Sequence, residues 1–277
     1  MKKKHKWSTM ILLVIFFVGL SVMLYPALSS YWNSRTQSQA IVDYEKMLAA
    51  MPKADYTEAF RAADEYNMQL NELKAPLLEH GSLEGYMDIL NVSGTGIMGY
   101  ITIEKIGLEL PVYHTTSDSV LSVGVGHLEG TSIPVGGTGT HSVLSAHRGL
   151  PSATLFTHLD HVEIGDTFSI KILDRTMTYQ VDQIKTVDPS DASDIRVFEG
   201  EDYCTLLTCT PYGINTHRML VRGARISTVS QKNIYVISEA YQIDSLIVMP
   251  AVAIPMLLIL MVVVLLKPVK KDDLEDE

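Results

Sequence analysis

The chain has 277 residues, with 22 Lys and Arg against 32 Asp and Glu and a formal net charge of −10. That acidic balance excludes a general nucleic-acid binder, which needs a basic footprint. The two cysteines, Cys204 and Cys209, are too few for the disulfide framework that staples small secreted domains.

Residues 1–7 form a basic start, with Lys2, Lys3, Lys4 and Lys6. An apolar run follows over 8–28, its core Met10 to Tyr25 ending at Pro26. As a helix this run reaches about 30 Å at about 1.5 Å per residue, one hydrocarbon core. It reads as a transmembrane anchor. The alternative is a cleaved signal segment, with Ala27-Leu28-Ser29 as a small-x-small site.

Residues 31–80 read as an extracellular helical region, poor in glycine and β-branched residues and rich in better helix formers. Pro52 divides it into a helix near 33–50 and another near 55–74. In the second, Tyr56, Phe60, Ala63, Asn67 and Leu70 recur at the spacing of one buried helical face. A connector over 81–96 leads to a change of composition.

From 97 to 228 the chain is rich in Val, Ile, Thr and Gly, in short runs such as Thr167–Ile172, Thr205–Thr208 and Met219–Arg222. Short strands separated by turn residues predict a sandwich or a barrel. A linker over 229–245 precedes an uncharged run, 246–266, whose Pro250 and Pro255 a membrane helix tolerates. Lys267, Lys270 and Lys271 open the tail, 267–277. Basic flanks on both apolar runs predict a two-pass protein with cytoplasmic ends and everything between them outside.

The chemistry gathers around Cys209, which closes the run Thr205-Leu-Leu-Thr-Cys209 beside the loop Thr210-Pro-Tyr-Gly213. A strand that delivers a thiol to its end places a nucleophile on a rigid element. Cys204 has opposite parity on the same strand, so it faces the other side and reads as a core residue. A thiol nucleophile needs a proton acceptor or a cationic neighbour. His147 ends another strand-like run; His141 shares its parity and His217 is near Cys209 in sequence, so spacing leaves all three open. Arg218, nine residues beyond Cys209, is a candidate to hold a substrate carbonyl or a developing oxyanion. Arg148, Arg222 and Arg225 have no role by pattern.

At these residues the sequence resembles the sortases, cysteine transpeptidases of Gram-positive surfaces. The family pattern Thr-Leu-x-Thr-Cys with a downstream arginine is matched by Thr205-Leu206-Leu207-Thr208-Cys209 and Arg218, and the family histidine falls on His147. Longer matches over Gly99–Gly107, Gly124–Pro134, His141–Pro151 and Cys209–Arg218 are similar to the pilin-polymerising class C, and to its streptococcal members. The resemblance implies a closed eight-stranded β-barrel with N-terminal helices, flanked by the two membrane helices. It implies that Cys209 attacks a Leu-Pro-x-Thr-Gly-like sorting signal between Thr and Gly, and that a pilin lysine amine resolves the thioacyl enzyme. His147 would be general acid and base, Arg218 the oxyanion partner, and Thr208 and Leu207 substrate-lining residues. No cofactor or metal is implied. The implied partners are pilin subunits bearing a sorting signal and an acceptor lysine, the membrane, and in an alternative role a cell-wall precursor supplying the amine. A catalytically inactive scaffold for pilus assembly is a further alternative, against which the intact Cys209, His147 and Arg218 argue.

One feature departs from the class. Its members usually carry an Asp-Pro-aromatic lid before the barrel, and residues 75–96 contain no such motif; the only Asp-Pro is Asp188-Pro189. Tyr86 and Met87 are the remaining candidates to approach the cleft from this segment.

Overall fold

Nothing between Pro26 and Ala50 breaks a helix, and the apolar run and the first helix of 31–80 are accordingly continuous. In the computed structural model, which describes residues 2–227 and 254–257, α1 extends over Lys2–Ala50 with Pro26 accommodated inside it. Pro52 sets the start of α2, Lys53–Glu72. Among the described residues one helix is long and apolar enough to cross a membrane, and it lies within α1. The two-pass expectation is corrected accordingly: the structure holds one such helix, not two. The run 246–266 falls outside the described residues except for 254–257.

Eight strands follow: β1 Ile97–Ile103, β2 Leu108–Tyr113, β3 Val125–His127, β4 Thr140–Ser145, β5 Thr167–Ile172, β6 Arg175–Val187, β7 Asp202–Thr210 and β8 His217–Ile226. They close in the order β1-β2-β3-β4-β7-β8-β6-β5. The β2–β3 and β4–β7 pairs are parallel and the others antiparallel. Closure leaves no open sheet edge. Alternation fills the interior: Phe168, Ile170 and Ile172 of β5 are buried, as are Cys204, Leu206 and Thr208 of β7.

The helices cover the outside of this barrel. The face of α1 that carries Gln37, Ile41, Tyr44 and Leu48 is buried, as are Tyr56, Phe60, Ala63, Asn67 and Leu70 of α2. Their polar members replace water with backbone partners. The Tyr44 hydroxyl donates to Met98 O at 3.0 Å and accepts from Leu173 N at 2.9 Å. Asn67 exchanges two bonds with the backbone of Ile133, at 3.2 and 2.7 Å.

The connector 81–96 is fastened in the same way. Tyr86 donates to His127 Nδ1 at 3.0 Å and accepts from Thr115 N at 3.0 Å, while His127 Nε2–H donates to Ser132 O at 2.9 Å. His114 sets its ring nitrogens against Ile89 O at 2.7 Å and Gly96 O at 3.0 Å. Burial pulls the His127 imidazole from 6.5 down to about 4.

That shift predicts a pH dependence of stability. Between pH 6.5 and about 4 the unfolded His127 takes up a proton that the folded one refuses. Its contribution is complete above pH 6.5 and is lost as pH falls through this window, by about 1.4 kcal/mol per pH unit and on the order of 3 kcal/mol in all. Urea unfolding followed by tyrosine near-UV circular dichroism across this range will show a steeper acid loss for the unsubstituted chain than for His127→Gln.

Candidate active site

The pairing of β7 with β8 sets Cys209 directly opposite Arg218, Leu207 opposite Leu220 and Thr205 opposite Arg222. These residues share the outer face of the barrel wall, because their neighbours Cys204, Leu206, Thr208, Met219 and Val221 fill the interior. On the other side of β7, β4 runs parallel with Ser145 opposite Leu207. Ala146 N extends the ladder to Leu207 O at 3.2 Å, and the Thr208 hydroxyl donates to Ala146 O at 2.8 Å. Carrying this register onward brings His147 to the level of Cys209. Cys209 and Arg218 are paired, and His147 follows two residues after the end of the β4–β7 ladder; all three are half-buried.

The same registers separate the other histidines from the thiol. His141 pairs with Tyr203, about 20 Å along the wall at about 3.3 Å per residue. Its ring donates to Arg196 O and accepts from the Thr205 hydroxyl, both at 2.7 Å, and burial lowers its pKa. His217 pairs with Thr210, is exposed, and meets the Thr216 hydroxyl at 2.9 Å. Of the three histidines left open by spacing, His147 is the one that follows directly on the end of β4 beside Leu207. Arg222 is held by Asp182 at 2.6 Å and lies 4.3 Å from the Tyr203 ring centre.

Arg218 is less constrained. Its guanidinium donates to the carbonyls of His217 and Asn215 at 3.1 and 3.3 Å. It lines a groove of about 390 Å³ whose floor is Leu207 and Leu220 and whose walls include Leu128, Val187, Pro189 and Ile195. Together with His80, Glu129 and Asp191 these residues make a groove with apolar patches and a guanidinium, which suits an extended peptide whose carbonyl can meet that guanidinium.

Two expectations change here. Thr208 turns its side chain into the barrel and bonds to Ala146, so it braces β4 against β7 and does not line the groove; Leu207 does. Tyr86 and Met87 do not reach the groove either. Tyr86 is engaged with His127 and Thr115, and Met87 is half exposed to solvent. Leu77 and His80, from the turn after α2, line it instead. Gly130 permits this approach, since a Cβ there would lie 2.7 Å from Leu77 Cα and from Pro76 O. The signal in the sequence was Ala75-Pro76-Leu77, a proline after the last helical turn followed by an apolar residue.

The two thiols differ as the strand parity requires. Cys204 is fully buried, and desolvation with Asp202 nearby raises its pKa well above the ordinary thiol range. Cys209 is half-buried on the strand that also carries Leu207, and neither cysteine is in a disulfide.

Comparison with known proteins places this geometry in context. The sortase domain family matches residues 101–226. Sortase D of Bacillus subtilis (strain 168) is 30% identical over 132 residues, 47% of this chain and 64% of the relative, so the chain spans less than two thirds of that protein. The crystal structure of sortase C1 from Streptococcus agalactiae is 47% identical, with a TM-score of 0.63 over 69% of this chain and 100% of that one. The Streptococcus pneumoniae sortase C, described for its catalysis and pilin substrate specificity, is 44% identical with a TM-score of 0.61 over 68% of this chain and 96% of that one.

The contrast between the cysteines predicts selective alkylation. Brief iodoacetamide treatment of the native chain will add one carbamidomethyl group, located by fragment-ion mass spectrometry at Cys209. Cys204 will be modified only after denaturation.

Proposed function

This chain belongs to the sortases, in the pilus-associated class C, and we propose from that premise that it is a cysteine transpeptidase that polymerises pilin subunits. The observation that carries this reading is the cross-strand pairing of Cys209 with Arg218, whose side chain lines the groove over Leu207 and Leu220.

The substrate is a pilin bearing a Leu-Pro-x-Thr-Gly-like signal laid along the groove over Leu207 and Leu220. Cys209 Sγ, its proton passed to His147, attacks the Thr carbonyl carbon, and the tetrahedral oxyanion is stabilised by the guanidinium of Arg218. As the C–N bond to Gly breaks, His147 donates a proton to the leaving amine. A thioester to Cys209 remains. The side-chain amine of a pilin lysine then attacks that carbon, loses its proton to His147 and displaces the thiolate. An isopeptide bond forms, and the His147 proton returns to Cys209. Atoms and charge balance without a cofactor. In this reading α1 is the membrane tether that keeps the enzyme among its membrane-held substrates.

Incubation of the full chain in detergent with a signal peptide and a lysine-bearing pilin domain will yield a Thr-to-lysine isopeptide, identified by mass spectrometry. Cys209→Ala will abolish the product, and His147→Ala and Arg218→Ala will each lower its rate by about a hundredfold or more. Arg218→Lys will restore little, because an ammonium does not reproduce the planar fork of donors. Exclusive transfer to a cell-wall cross-bridge amine would replace polymerisation by wall anchoring. Product from Cys209→Ala would end the mechanism.

A further inference from the structure

His147 lies beyond the end of β4, and the chain after Cys209 soon leaves β7, so the ladder alone does not join the two turns that carry the site. On one side, the segment Leu155–His161 backs the His147 turn residue by residue. Phe156 N–H donates to His147 O at 3.1 Å, Gly149 N–H donates to Thr157 Oγ1 at 3.2 Å, and Arg148 Nη2 donates to Asp160 Oδ2 at 2.5 Å. On the other side, the loop from Cys209 to β8 reaches back across the same turn. The Tyr212 ring lies on Gly149 so closely that a Cβ there would sit 2.9 Å from Cε2 and 3.1 Å from Cζ. The Arg148 guanidinium carbon is 6.0 Å from the ring centre. Gly149 has φ +75°, a left-handed conformation that glycine adopts without strain.

From this contact we propose that Tyr212 is a positioning residue: its ring holds the His147 turn against the loop following Cys209 and so fixes the distance over which the proton moves. The proposal rests on the transpeptidase reading. Tyr212 is 59% exposed, which separates it from the core and leaves the fold independent of it. The Tyr212 atoms nearest Gly149 are the ring carbons Cε2, Cζ and Cδ2. Phenylalanine therefore preserves it and alanine removes it. Adding a methyl group at Gly149 displaces the ring from the other side. Small displacements of a proton-transfer pair are costly to rate and leave binding of the signal in the groove untouched.

The test is steady-state cleavage of a fluorophore–quencher Leu-Pro-Ala-Thr-Gly peptide by the full chain in detergent. Tyr212→Ala and Gly149→Ala will each lower kcat by about tenfold or more while KM stays within about twofold. Tyr212→Phe will stay within about twofold of the unsubstituted chain. The thermal midpoint of Tyr212→Ala will be unchanged. Unchanged kcat in Tyr212→Ala, a loss confined to KM, or a Phe variant as poor as Ala would each overturn the proposal while leaving the transpeptidase reading intact. Cleavage by the unsubstituted chain that is absent, or that persists in Cys209→Ala, would overturn that reading and the proposal with it.

Discussion

β7 runs between β4, to which it is parallel, and β8, to which it is antiparallel, and the two registers together fix the site. Cys209 faces Arg218 across one ladder, and the other ladder ends at Ser145 beside Leu207, two residues before His147. A shift of either strand by one residue would exchange the faces of every side chain on it. Cys204, Leu206 and Thr208 would then move from the barrel interior to the outer wall, and Cys209 would move inside. The interior packing therefore holds the thiol on the outer wall, opposite Arg218. The same residues that stabilise the barrel also decide where the nucleophile points.

The surroundings extend this constraint outward. Closure through β1 and β5 removes free edges, so β4, β7 and β8 cannot slip by fraying at a boundary. The helices are fixed to the barrel by side chains that act as backbone partners, Tyr44 toward Met98 and Leu173, Asn67 toward Ile133. Buried groups of this kind are costly to leave unpaired, at about 1–3 kcal/mol each, so they select one docking position. That position brings the turn after α2 over Gly130 and sets Leu77 and His80 into the groove. The groove that Arg218 lines is thus shaped in part by a segment far from it in sequence.

How much of this could be read from the chain follows from how local each feature is. The division between Cys204 and Cys209 was legible, because a strand alternates with period two whatever its partners. The buried face of α2 was legible for the same reason at helical period. The choice among His141, His147 and His217 was not, because it is set by pairing between β4 and β7, and parity treats His141 and His147 alike. Its place at the end of a strand-like run made His147 the best candidate, and the family resemblance singled it out. The inward turn of Thr208 contradicted the expectation for a residue beside the nucleophile, although its parity with Cys204 foretold it. The groove contact of Leu77 was hidden because Ala75-Pro76-Leu77 lacks the aromatic motif sought there. The continuity of α1 was missed for a plainer reason: a change from apolar to polar residues at 28–31 ends a membrane pattern without ending a helix.

The central claim is that Cys209, set by the β7–β8 register, forms the covalent bond to substrate. Its most direct measurement is acid-quenched intact-mass and fragment-ion spectrometry of the full chain after brief exposure to a Leu-Pro-Ala-Thr-Gly peptide. The account predicts an added Leu-Pro-Ala-Thr acyl mass on Cys209, lost on treatment with hydroxylamine. An acyl group on Cys204, or an adduct that survives in Cys209→Ala, would contradict it.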